Sequence, residues 1–82
     1  MYWLKKSFVP YCKTQGYDIM QDDLKFIEKS LKTFREPERR PILYKYAETW
    51  RQAMSAEQNE LKKQSAGRRA ANLFMLKTIG KL

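Results

Sequence analysis

Histidine is absent from the 82 residues, cysteine occurs once, at Cys12, and three glycines and three prolines are scattered along the chain. Each scarcity removes a class of function. Without histidine the usual general base at neutral pH is missing, and one cysteine with no histidine cannot assemble a zinc finger or zinc ribbon. A lone cysteine also forbids an intrachain disulfide, so a disulfide-stapled secreted module is excluded and a reducing, intracellular and cytoplasmic setting fits. The nine carboxylates do not follow the spacing of a calcium loop. Gly16, Gly67 and Gly80 lie too far apart to cradle a phosphate. No run approaches the roughly 18 apolar residues of a transmembrane helix, and the N-terminus, with Lys5 and Lys6 before a short run broken by Pro10, does not read as a signal peptide. Asp22 and Asp23 are adjacent and diverge on a helix, and no nucleophile stands at a recognisable spacing from a base. The expectation is a protein that is not an enzyme and uses no cofactor or metal.

What is present is enough apolar surface for one modest core. Apolar residues make up 43 % of the chain and aromatics 13 %, although a chain of this size buries only about 60 % of the surface it exposes when unfolded. Dimerisation would be a natural supplement to such a core.

The apolar positions recur at helical spacing throughout. Leu4, Phe8, Tyr11 and Cys12 predict a first helix ending at Gly16; Pro10 implies either a helix starting near Ser7 or a kinked one from residue 3. Met20, Leu24, Ile27, Leu31 and Phe34 form one stripe of a second helix, with Asp18 and Gln21 as its expected capping pair. The segment 35–41, with Pro37 and Pro41, predicts a connector or the first turn of the next helix. Leu43, Tyr46, Ala47, Trp50, Ala53 and Met54 make a third stripe, in which Tyr46 and Trp50 are read as core. Ser55 and Asn59 are alternative caps for a last segment from about Glu60 to Ile79, whose inner line is expected to be Ala66, Ala70, Leu73 and Leu76 or Lys77, broadened by Phe74, Met75 and Ile79. Gly67 marks a new helix start near Ser65 or a close approach between helices. The predicted fold is therefore all-α: a small bundle of three or four helices forming a single domain over 1–82, with a connector near 35–41 and a basic segment at 61–82.

Charge placement carries the functional expectation. Seventeen basic and nine acidic residues give a net charge of +8. Residues 1–60 hold 11 basic groups and all nine acids, a surplus of two; residues 61–82 hold six basic groups and no acid. Such asymmetry suggests a polyanionic partner. Within the basic segment, Lys62, Lys63, Arg68, Arg69, Asn72 and Lys77 are the candidate nucleic-acid-binding residues. Arg68, Arg69 and Asn72 share one flank of a helix, and Arg and Asn are the side chains that bond guanine and adenine edges bidentately. A helix-turn-helix pattern is not satisfied, because Lys63 stands where a small residue is wanted four positions before Gly67, although Leu73 fits. The expectation is phosphate-mediated binding of nucleic acid, DNA ahead of RNA. The rival is an interaction module, inhibitor, adaptor or assembly factor docking on an acidic protein surface, for which Tyr2, Trp3 and Tyr44 would serve as anchors. A basic segment lying on anionic lipid is a third reading.

Overall fold

Local sequence chemistry accounts for where each helix begins and ends in the computed structural model, which describes residues 1–81. The chain opens in a helical run whose residues Leu4–Phe8 form a π-turn, continued by α1 (Val9–Gln15). The Val9 N–H bonds to the carbonyl of Leu4, five residues back. This wider turn lies immediately upstream of Pro10, whose ring would crowd the Lys6 carbonyl in a regular α-helix. The helix therefore runs from the N-terminus rather than starting near Ser7. It stops at Gly16, which takes φ +80° and lets Tyr17 donate back to the Cys12 carbonyl at 2.8 Å.

Helix α2 (Gln21–Leu31) is capped by a pair other than the expected Asp18 and Gln21. The Asp23 carboxylate accepts the Met20 backbone N–H at 2.9 Å, because Asp18 is held by groups from the far end of the chain. Residues 32–35 then connect to α3 (Glu36–Ala56). The prolines of 35–41 thus lie within the opening turns of α3 instead of in a connector. Pro37 sits in the first turn, where a missing N–H costs nothing. Pro41 is inside the helix, and both prolines face solvent. Of the two cap candidates that follow, Ser55 lies inside α3 while Asn59 caps, its side chain accepting the Leu61 N–H at 2.9 Å. A short 3-10 turn, Glu60–Lys62, leads into α4 (Lys63–Thr78).

The four helices form a small all-α bundle, with no strand among the described residues. α3 and α4 make an antiparallel hairpin. Tyr46 of α3 meets Asn72, and Trp50, one turn later, meets Gln64. Leu4, Phe8 and Cys12 from the N-terminal helix, Leu24, Ile27 and Leu31 from α2, and Leu43, Tyr46, Ala47 and Trp50 from α3 are buried together. α4 contributes Gly67, Ala71 and Met75. Gly67 and Ala71 are one position on from the expected Ala66 and Ala70, Met75 is among the residues expected to broaden the line, and Leu73 is exposed. Size decides this register: Gly67 is the residue of α4 that can lie flat against the Trp50 indole. Among the described residues no helix is long and apolar enough to cross a membrane, and no three potential metal-ligating side chains are grouped.

Candidate nucleic-acid interface

Gly67 and Ala71 bring α4 close to α3, and this closeness sets the task of the polar residues flanking them. Gln64, Arg68 and Asn72 follow at i, i+4 and i+8, so they form one line along the inner edge. All three are engaged within the fold. Gln64 accepts the Asp18 N–H at 3.0 Å and the Trp50 Nε1–H at 3.3 Å, and its amide donates to the Gly16 carbonyl at 2.8 Å. Asn72 Oδ1 accepts the Tyr46 hydroxyl at 2.7 Å. Burial, with the nearby Asp23 charge adding to it, pushes the Tyr46 phenol well above its ordinary range.

Arg68 is the centre of this line. Its Nε donates to both oxygens of Asp23, at 3.1 and 3.0 Å, and a terminal nitrogen donates to the Asp18 carbonyl. Its guanidinium stacks over the Trp50 ring at 5.2 Å. Asp23 is only 5 % exposed, and a buried carboxylate is tolerable only when paired and hydrogen-bonded. Arg68 supplies the pairing and Met20 a further donor. Together Gln64 and Arg68 fasten the connection between α1 and α2 onto α4.

Lys63 is also turned inward. Its ammonium donates to the carbonyls of Met54, at 2.9 Å, and Glu57. Met54 lies in the last turn of α3 and Glu57 just past its end, and a cation there is favoured by the helix dipole.

Three of the six candidate residues, Lys63, Arg68 and Asn72, are therefore bonded within the protein, and Lys62, Arg69 and Lys77 face solvent. These three lie with Ser65 and Leu73 on one line of α4 and its preceding turn, at offsets of 3, 7, 11 and 15 residues from Lys62. The line is about 22 Å long at the helical rise. Arg68 and Arg69 thus point in different directions, as adjacent helical residues must. No carboxylate lies within ion-pairing distance of Lys62, Arg69 or Lys77 among the described residues. Lys62, Ser65 and Arg69 border a shallow concavity with Glu57 and Ala66.

The inner polar line was hidden in the sequence because its partners are remote: Arg68 and Asp23 are 45 residues apart. One signal for it exists, namely the polar residues at 64, 68 and 72 repeating beside small residues at 67 and 71. No family model matches the chain, and no curated protein or solved structure matches it significantly.

Proposed function

We propose that the protein binds nucleic acid through the outer face of α4, with Lys62, Arg69 and Lys77 contacting phosphates and DNA ahead of RNA. The observation that carries this reading is the sorting of cations on α4. Those on the inner edge are matched to an acid or to carbonyls, whereas Lys62, Arg69 and Lys77 are aligned and have no ion-pair partner among the described residues, and α4 itself carries no acid. Phosphate contacts of this kind position a protein without reading sequence. In this reading Arg68, Lys63 and Asn72 act indirectly, by holding the helix that presents the contacts. The buried lone thiol fits an intracellular setting. An electrophoretic titration of duplex DNA at two salt concentrations tests it: tight, salt-sensitive retardation is expected, and retardation unchanged by Arg69→Ala in a folded variant would remove α4 from the mechanism.

A second reading, docking on an acidic partner protein, is favoured by two apolar side chains among the same cations. Leu61 is 93 % exposed and Leu73 43 %. An interface with a protein would bury both. Replacing them with serine separates the readings, since phosphate binding should be indifferent to the change.

A further inference from the structure

A second charged surface lies away from the outer face of α4, built from the N-terminal helix and the start of α3. Tyr2 is 76 % exposed and Tyr44 60 %. Both rings are outward, and cations stand over Tyr2 and over the neighbouring Trp3. Lys6 places its ammonium 5.4 Å from the Tyr2 ring, and Arg40 places its guanidinium 4.8 Å from the half-buried Trp3 ring. Trp3 beside Arg40 at one end, and Tyr17 beside Trp50 at the other, show that the N-terminal helix and α3 run in the same direction. Tyr44, one turn on from Arg40, is therefore on the same side of α3 as the Trp3–Arg40 pair. Tyr2 and Lys6 flank Trp3 at one and three residues. The result is a surface on which rings and cations alternate.

Three carboxylates border it, and each is held by a cation of its own. Glu36 accepts from Arg39 at 2.7 Å, Glu48 from Arg51 at 3.1 Å, and Glu28 lies 3.9 Å from Lys32 and 4.0 Å from the N-terminal ammonium. The Arg51 contact keeps Glu48 ionised below the usual carboxylate range. Lys5, Lys6 and Arg40 have no acidic partner among the described residues.

We infer that this surface binds single-stranded nucleic acid, unpaired bases stacking on Tyr2 and Tyr44 while Lys6 and Arg40 hold the phosphates between them. Duplex bases are already stacked on one another and offer no free face to a tyrosine; unpaired bases do, and stacking on an aromatic ring tolerates any sequence. The cations above the rings suit a ligand that alternates flat apolar groups with negative charge. The inference extends the nucleic-acid reading from phosphates to bases, but its residues are separate from those of α4.

The probe is an oligothymidylate of about ten nucleotides, within the site sizes of single-strand binders, titrated beside a duplex of equal length at one salt concentration. Trp50 is fully buried, so fluorescence quenching on binding reports on Trp3, and Trp3→Phe should abolish the quench while labelled oligonucleotide still binds. Tyr2→Ala and Tyr44→Ala should each weaken oligothymidylate binding about 5- to 100-fold, leave duplex binding unchanged, and be rescued by Tyr2→Phe and Tyr44→Phe. Both positions are exposed, and circular dichroism confirms that the variants fold. Unchanged oligothymidylate affinity in both alanine variants overturns the inference, as does binding of duplex without binding of the single strand, an outcome that leaves the α4 reading intact. Aromatic-dependent binding of the single strand without binding of duplex supports the inference and removes the α4 reading instead. Binding of neither probe overturns both.

Discussion

Gly67 lies against the indole of Trp50 so closely that a Cβ at this position would sit 2.4 Å from Cδ1, 2.6 Å from Nε1 and 2.9 Å from Cγ. These are ring atoms of a fully buried side chain whose Nε1–H is bonded to Gln64, so the indole has no free direction in which to yield. In an exposed helix Gly→Ala would gain about 1 kcal/mol of helix propensity. Here overpacking, at about 1–3 kcal/mol, outweighs it. Gly67→Ala should lower the melting temperature by several degrees, a 1 kcal/mol loss being worth about 4–8 °C in a domain of this size. A raised melting temperature would show that α4 can back away from α3 at little cost.

Arg68 and Arg69 should part company in a thermal melt. Arg68→Ala strands the Asp23 carboxylate in the core, and breaking such a pair costs about 3–5 kcal/mol when both partners are buried. Arg68 is itself a quarter exposed, so a loss of about 2–4 kcal/mol is expected after allowing for solvent screening. Arg69→Ala removes no contact and should leave the melt within about 0.5 kcal/mol of the parent. Adding Asp23→Asn to Arg68→Ala should recover part of the loss, because the stranded charge is gone. Equal effects of the two arginine variants would contradict the pairing.

How far the sequence reveals this architecture depends on what each element packs against. Leu24, Ile27 and Leu31 announce α2 because a half-buried helix shows its apolar stripe directly. So do Leu43, Tyr46 and Trp50 in α3. The inner line of α4 does so only in part: Met75 is apolar, but Gly67 and Ala71 are less apolar than Leu73, which the fold leaves exposed. Pro37 and Pro41 leave the opening of α3 undecided between a connector and a first helical turn; the fold takes the second, with both prolines on the solvent side. Among the candidate site residues, exposure separates Arg69 from Arg68, and this depends on Asp23 arriving from another helix. Charge asymmetry can be read from order along the chain; which cation is neutralised requires the fold.

Cys12 and Tyr46 together predict alkaline sensitivity. Burial pushes the Cys12 thiol from its ordinary 9.0 up to about 12, and the Tyr46 phenol also moves upward. Both groups are neutral in the folded protein over a range where the unfolded chain releases their protons. The stabilisation is thus fully present below pH 9 and is lost as pH rises towards 12. Each unit of pH in this window costs up to about 1.4 kcal/mol per group. Urea midpoints measured at pH 7 and pH 10.5 should fall steeply for the parent and less steeply for Cys12→Ala. Parallel falls would mean that the thiol is reached by solvent. By the same burial, Cys12 should react with a thiol reagent only after unfolding, and a reductant should leave the melt unchanged.

The salt dependence of duplex binding is the quantitative check on the outer face of α4. If Lys62, Arg69 and Lys77 each neutralise one phosphate, three counterions' worth of charge is released, and log affinity should fall with log salt at a slope of about −2.7. Removing any one of them should bring the slope up by about 1, with the same loss on every sequence, because a phosphate contact carries no base preference. Lys63→Ala behaves differently in this scheme. Its ammonium is bonded to the carbonyls at the end of α3, so the variant should lose stability and keep the slope. A base-reading Arg69 would instead relax preference at one position while changing the slope by less. Binding isotherms for the three single variants on two unrelated duplexes, each at three salt concentrations, distinguish these cases. A parent slope near −1 would mean that the line of cations does not follow the phosphate backbone, and the acidic-protein reading built on Leu61 and Leu73 would then take its place.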